Sequence, residues 1–476
     1  MVTYSKLEEI TADMKAKWVL GIDLGTTHVK ALALDSKGRF VFKRSLTPRI
    51  YTDIIGHYEQ DPQEILEMVR SVIRECQSQS DLISIGLSGA MHTFIVVDAL
   101  WRPVTKIWTW MDQRSGVTAK LLRAQGIAEK WYSRTGCPVH SMSPAVKWLH
   151  FSRVSGADLR PIALKDWIFY ELTGQWATDF STAAASGMMT LSGEWDDEIL
   201  HTLQLTPNIL PPIHSWDYMG KNVVLGGSDG AIAHYGLNAL TDSDAAVLTW
   251  GTSAAIRVST STTTSQEFMP NGSFAYFMGP GHGFLIGQAL SNAGNVLSWI
   301  AKVLNMSVEE TIQRAVDVIE SPESLPRFVP YLFGERSPYW DETLTARFEN
   351  ILPEHGADHL AGGVVLSLLA LIVSAYRRLG ASTRSWKSVY TGSNLSFATE
   401  WGRLIAKLLP VPVYSVQSED ASVLGAAKLA AKQQGWGGKE ELDFPDGEPH
   451  HFVSLSQSDS SRLASRVDET VAYLYN

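Results

Sequence analysis

The chain has 476 residues, 45% hydrophobic and 19% charged, with a formal charge of −10. That length and apolar content suffice for two large domains and exclude a disordered chain. The acidic balance argues against nucleic-acid and membrane-surface partners, and two cysteines, Cys76 and Cys137, exclude a disulfide framework and a cysteine zinc cage. A reducing compartment follows, so the expected location is cytoplasmic.

The N-terminal stretch Met1–Trp18 mixes Lys6, Glu8, Glu9, Asp13, Lys15 and Lys17 and has no apolar run of signal-peptide length. Trp18-Val19-Leu20-Gly21-Ile22 reads as a buried strand, Asp23–Thr27 as a turn, and His28–Leu34 as a half-buried strand. A second turn at Asp35–Arg39 leads to Phe40-Val41-Phe42, making the opening an antiparallel meander. Asp61–Gln77 has helical spacing, with Ile65, Met68, Val69 and Ile73 on one face. Asp81–Leu87 and Ile95–Asp98 read as strands, and Ala163–Thr173 as a helix stopped at Gly174. Alternating helices and strands define an α/β class.

Further along, Ala245–Trp250 is a second apolar run, followed by Gly251-Thr252-Ser253 and a strand at Ala254–Val258. The two Gly-hydroxyl turns, at Gly25 and Gly251, lie 226 residues apart, which points to a duplicated domain with its boundary near Asn238–Asp244. From Leu360 to Tyr376 there is no charge for 17 residues; Gly362, Gly363, Ser367 and Ser374 within it favour a buried core helix over a membrane span.

Several stretches can carry chemistry. Gly25, Thr26 and Thr27 present successive N–H groups and two hydroxyls, a nest suited to phosphate oxygens, and Asp23 at the strand end is a candidate ligand for Mg²⁺. Val223–Ala231 runs from an apolar strand through Gly226-Gly227-Ser228 to Asp229 and Gly230. On spacing alone Asp229 reads as a helix N-cap, with a general base as the competing role. Met91 and His92 follow a strand and are placed to line a pocket. Trp108–Arg114 offers aromatics beside an Asp–Arg pair, either to stack a polyol or to brace the fold. The P-loop, H-E-x-x-H and C-x-x-C patterns are absent. Gly279, Gly281 and Gly283 read as a loop.

Taken together, Gly21–Thr27, Trp110–Arg114, Gly226–Asp229, Gly251–Ser253 and Asp420–Ala427 resemble the FGGY family of carbohydrate kinases, over about Trp18 to Ala431. The resemblance implies two actin-like (ribonuclease-H-like) domains with a deep cleft between them. It divides the chain into an extension at 1–17, an N-terminal domain at 18–241 that binds sugar and supplies the base, and a C-terminal domain at 242–476 that binds nucleotide. It implies Asp229 as catalytic base in place of the cap, Met91, His92 and Asp229 as sugar contacts, and Asp23 as the Mg²⁺-associated carboxylate. Gly25, Thr26, Thr27, Gly251, Thr252, Gly294, Gly392 and Ser393 would face ATP.

Within the family, Ala90–Thr93, Thr135–Pro144 leading to Lys147, Gly251–Arg257 and Gly334–Trp340 are similar to gluconate kinases. The implied reaction is ATP-dependent phosphorylation of D-gluconate, with xylulose or another polyol as the alternative acceptor and a non-catalytic ATP-binding module as the rival class. A sugar acid's carboxylate needs a cation or several N–H donors. Among His92, His140 and Lys147, His92 is the first choice, because a lysine followed by Trp148-Leu149 on a helix is expected to face solvent. A homodimer is the candidate assembly. The last ~40 residues carry Asp and Glu and are expected to end in a helix.

Overall fold

The computed structural model describes residues 15–53, 56–152, 159–240, 244–321, 324–382, 386–391, 400–415, 421–436, 450–451 and 461–475. Two sheets organise it. In the first half β1 (Lys17–Leu24) pairs antiparallel with β2 (Val29–Asp35), and β2 with β3 (Phe40–Leu46). On its other side β1 runs parallel to β4 (Asp81–Gly89), and β4 parallel to β6 (Val223–Ser228), which is flanked by the short β5 (Met219–Gly220). The continuous apolar run of β1 is explained by burial on both faces.

The second half repeats this wiring. β7 (Ala245–Trp250) pairs antiparallel with β8 (Ala254–Thr260) and parallel with β11 (Ser388–Thr391), which runs parallel to β12 (Val413–Ser415). Outside β8 lie β10 (Gly283–Leu290) and β9 (Phe274–Gly279), so the three glycines at 279, 281 and 283 form the tight turn of a hairpin, all with positive φ. In both sheets the Gly-hydroxyl turn joins the central strand to its antiparallel neighbour.

The helices follow their sequence signals. α1 (Pro62–Gln79) begins at Asp61, whose carboxylate accepts from the N–H groups of Gln63 and Glu64, and buries Ile65, Leu66, Val69, Val72 and Cys76. α2 (Leu164–Thr173) stops where Gly174 turns left-handed at φ 76°. α5 (Ala357–Ser382) is the one helix among the described residues long and apolar enough to cross a membrane. It is packed inside the second half, where Ser367 donates back to Gly363 O and across to Phe328 O. The chain ends in α7 (Ser461–Tyr475), which packs on α5.

Two further helices are exchanged between the halves. α3 (Asp229–Gly236) leaves the first sheet and reaches the second, where His234 Nε2 lies 3.4 Å from Arg257 O. α6 (Ala421–Gln433) comes from the second half and lies on β1 and β4. Glycine makes this approach possible: a Cβ on Gly21 would sit 2.4 Å from Ala427 N, and one on Gly86 2.0 Å from Ala426 O. α3 and α6 cross backbone to backbone, Gly425 against Ile232 O and Gly236 against Ala421 O. Both cysteines are free and buried.

Candidate active site

Asp23 ends β1, 7% exposed, and accepts a 2.7 Å hydrogen bond from Ser88 Oγ at the end of the parallel β4. Burial is the main cause that pushes its carboxyl up to about 6, with the Asp229 charge adding to it; hydrogen bonds from Ser88 and Ser422 and the Lys30 charge pull the other way. Asp229 is the first residue of α3 and is partly exposed. Ser228 occupies the N-cap position, so the cap reading of Asp229 gives way. Its carboxylate accepts from Gly230 N at 2.8 Å and from Met91 N. Desolvation raises the Asp229 carboxyl above the ordinary range, opposed by Arg257, by those two N–H groups and by Arg336. The Met91–His92 loop and Asp229 are therefore joined directly.

The first turn closes through Gly25 N to His28 O at 3.1 Å, and Gln60 Nε2 donates to Thr26 O at 2.8 Å. The second closes through Gly251 N to Ser253 O at 2.9 Å. It is seated on the start of α4 (Gly294–Val303): Gly294 N donates to Gly251 O and Asn295 N to Thr252 O. A Cβ on Gly294 would lie 2.5 Å from Gly251 O, so glycine is required there. Thr252 lines a cavity of about 190 Å³ with Tyr58, Trp110, Met111, Gln113, His140 and Ser141 of the first half and Ser291, Asn295, Phe333, Arg336 and Glu342 of the second. Tyr58 lies two residues before Gln60, whose side chain holds Thr26 O, so the first turn is tied to the strand that leads into this cavity wall. Gly392 and Ser393 lie outside the described residues.

The three basic candidates are neutral or committed. His92, with φ 63°, has Nδ1 2.8 Å from Ala185 O and Nε2 3.3 Å from Tyr276 OH, and burial holds its ring neutral. His140 accepts from Met142 N through Nδ1, and burial lowers its pKa to about 3. Lys147 does not face solvent. It is fully buried, and its ammonium donates to His92 O and Thr109 O at 2.8 Å and to Trp108 O at 3.3 Å. Desolvation brings it down to about 7, although the Asp112 charge opposes the fall. The Trp108–Arg114 stretch divides: Asp112, fully buried, pairs with Arg114, which also binds Glu59 and stacks on Trp108, while Trp110 and Met111 face the cavity.

A further buried cation, Lys165, pairs with Asp166 at 2.7 Å and Asp179 at 3.1 Å and supports Gly89 from below. Asp179 binds Ser181 Oγ, which accepts from Ser228 N just before Asp229. Lys165, Arg257 and Arg336 were not legible as site residues in the sequence. The usable signal was the lone charge in the apolar stretch at Arg257; Lys165 shares its helix with Asp166 and Glu171.

Two sheets of the same wiring, each with a Gly-hydroxyl turn beside its central strand, and a carboxylate at a strand-to-helix junction make a two-lobed α/β fold with a cavity between the lobes. The description "FGGY family of carbohydrate kinases, N-terminal domain" matches residues 18–224, and the C-terminal domain of the same family matches 246–433. The chain belongs to the FGGY family of carbohydrate kinases. It is a phosphotransferase that uses ATP and an alcohol group of a sugar. It is 29% identical over 452 residues to the gluconokinase of Bacillus subtilis, covering 87% of this chain and 86% of that protein. It is 26% identical over 450 residues to a xylulose kinase of Staphylococcus epidermidis, covering 88% of each. A crystal structure of gluconate kinase from Lactobacillus acidophilus superimposes with a TM-score of 0.84 at 24% identity, over 96% of this chain and 97% of that one.

Proposed function

We propose that this kinase phosphorylates the primary hydroxyl of D-gluconate, giving 6-phosphogluconate. The single observation that carries the chemistry is Asp229: a desolvated carboxylate held by Met91 N and Gly230 N at a strand-to-helix junction, within reach of the charge of Arg336 on the cavity wall. The gluconokinase relatives support gluconate over xylulose.

In this reading Asp229 accepts the hydroxyl proton as the γ-phosphoryl group of ATP transfers in line. Thr26 and Thr27 on one side, and Thr252 on the other, receive the phosphates through N–H and O–H groups, while Gly25, Gly251 and Gly294, whose N–H groups close the turns, let the phosphates approach the backbone. Met91 and His92 form the wall against the sugar, with His92 as a neutral hydrogen-bonding ring. Asp23 fits Mg²⁺: it is a buried carboxylate whose proton affinity is raised by burial and by a second carboxylate, a combination that a hard cation relieves. Among the described residues no cluster of three or more metal-ligating side chains occurs, which suits an ion shared with phosphate oxygens and water. Bound there, Mg²⁺ would neutralise phosphate charge. The reading carries with it a cytoplasmic enzyme and the homodimer as candidate assembly.

The test is sugar-dependent ADP release across gluconate, xylulose, ribulose and glycerol. Gluconate is expected to give the highest kcat/KM by at least tenfold. Efficient turnover of xylulose with gluconate ignored would transfer the assignment to xylulose and leave the kinase chemistry in place.

A further inference from the structure

With His92, His140 and Lys147 committed elsewhere, two guanidinium groups whose charges act on Asp229 still have unused donors, Arg336 on the cavity wall and Arg257 beside Gly230. Arg257 is the one charge in the apolar start of β8, Ala-Ala-Ile-Arg-Val. Gly287 stands opposite it in β10, and a Cβ there would come 2.8 Å from Arg257 Cγ, so glycine opens the path that the side chain follows. The path ends at the substrate side of α3: a Cβ on Gly230 would lie 3.1 Å from Arg257 Nε and 2.6 Å from Met91 Cε. Arg257 Nη1 donates to Thr249 Oγ1 at 2.9 Å, while Nε is buried and makes no hydrogen bond.

Arg336 has the same character. It is 8% exposed, lies 4.7 Å over the Trp110 ring, and lines the cavity. Nη2 donates to Leu290 O at 2.6 Å, but Nε is buried and makes no hydrogen bond. Its sequence neighbour Glu335 does not engage it side chain to side chain. Oε1 accepts from the backbone of Ser291 and Arg336, and Oε2 from Asn292. Arg257 and Arg336 are close enough to repel, and Asp229 is the carboxylate whose charge acts on both.

A buried guanidinium edge left without an acceptor is costly, and a planar carboxylate is the acceptor whose geometry matches it. The same cavity offers the converse group. Glu342 binds Arg123 through Oε1 at 2.8 Å, whereas Oε2 is buried without a hydrogen bond, 3.7 Å from His140 Nε2. An acceptor in that state suits a hydroxyl.

We propose that Arg257 and Arg336 together receive the carboxylate of an aldonic acid, with Glu342 accepting from one of its hydroxyls, and that these residues select the acid over a neutral polyol. The assignment rests on the gluconate reading above and adds the residues that enforce it.

Isothermal titration tests it with gluconate and with glucitol, which has the same carbon chain with CH₂OH in place of the carboxylate. Arg257→Met and Arg336→Met are each expected to weaken gluconate by at least about tenfold and to leave glucitol within about threefold. Equal weakening of both ligands, or of neither, overturns the proposal. So does a loss that appears in MgATP affinity instead, which would assign the two groups to phosphate. Should a Met variant fail to fold, Arg257→Lys and Arg336→Lys keep the charge and lose the planar fork; a gluconate-to-glucitol ratio unchanged in both overturns it equally. A wild-type chain that binds glucitol as tightly as gluconate defeats the gluconate reading itself. A wild-type preference that survives intact in the variants defeats only this assignment.

Discussion

Lys147 Nζ donates to His92 O at 2.8 Å, tying a helix of the first half to the loop that carries Met91. The other two acceptors, the carbonyls of Trp108 and Thr109, lead directly into Trp110 and Met111 on the cavity wall. One buried ammonium thus fixes the Met91–His92 loop, which lines a neighbouring cavity with Gly89 and Lys165, and the Trp110–Met111 wall.

Replacing that ammonium should show in both stability and substrate binding. Lys147→Met leaves three carbonyls without their donor, and the expected cost is roughly 3 kcal/mol of unfolding free energy. Thermal denaturation reads the loss, and steady-state kinetics should show the sugar KM rising more than kcat falls. A variant with wild-type stability and sugar KM would remove Lys147 from this role.

Asp229→Asn keeps the side-chain volume and removes the proton acceptor. Turnover is expected to fall about 10²–10⁴-fold, with ATP affinity retained because the two turns are untouched. Turnover within threefold of wild type would sink the assignment of the base.

Gly294→Ala tests the nucleotide wall. The added methyl must displace Gly251 O, which sits 2.5 Å from its position, and so disturbs the turn that holds Thr252. The KM for ATP is expected to rise about tenfold or more, with the sugar KM little changed. The opposite pattern would separate this turn from nucleotide binding.

Acid should unfold the chain through its buried histidines. Burial lowers His140 to about 3 and His234 to about 4, both from 6.5. The unfolded chain therefore binds protons that the folded one refuses, and stability rises with pH through this window and is lost as pH falls from 6.5 towards those values. Each group adds up to about 1.4 kcal/mol per pH unit. His140→Asn keeps an acceptor for Met142 N and should flatten the fall in melting temperature between pH 6.5 and 4. An unchanged slope would refute the contribution of His140.

Local features were legible in the sequence because their causes are local. The helix over Asp61–Gln77, the Gly174 stop and the two hairpin turns each depend on residues within a few positions. The family resemblance supplied the fold, and the duplicated wiring of the two sheets agrees with it. What escaped was decided by partners far along the chain. Lys147 looked solvent-facing because its acceptors lie 38 to 55 residues away. His92 looked like a cation because nothing nearby in sequence announces Ala185 O or Tyr276 OH. Arg257 stood inside a stretch already noticed, yet its direction depends on Gly287 across the sheet and on Gly230 at the start of another helix.

The exchanged helices α3 and α6 meet backbone to backbone at Gly236 and Gly425, with Ile232 packed on Gly425 and Lys428 Nζ donating to Gly236 O at 2.6 Å. Such a close crossing suits a pivot, because atoms near it move least when one lobe turns on the other. Rotation displaces each atom in proportion to its distance from the pivot. Asp229, at the first residue of α3, is carried on a short lever arm, while Phe333 and Gln113, on opposite walls of the cavity, ride on long ones. The lips of the cleft can therefore swing to admit and release ligands while the proton acceptor keeps nearly the same position.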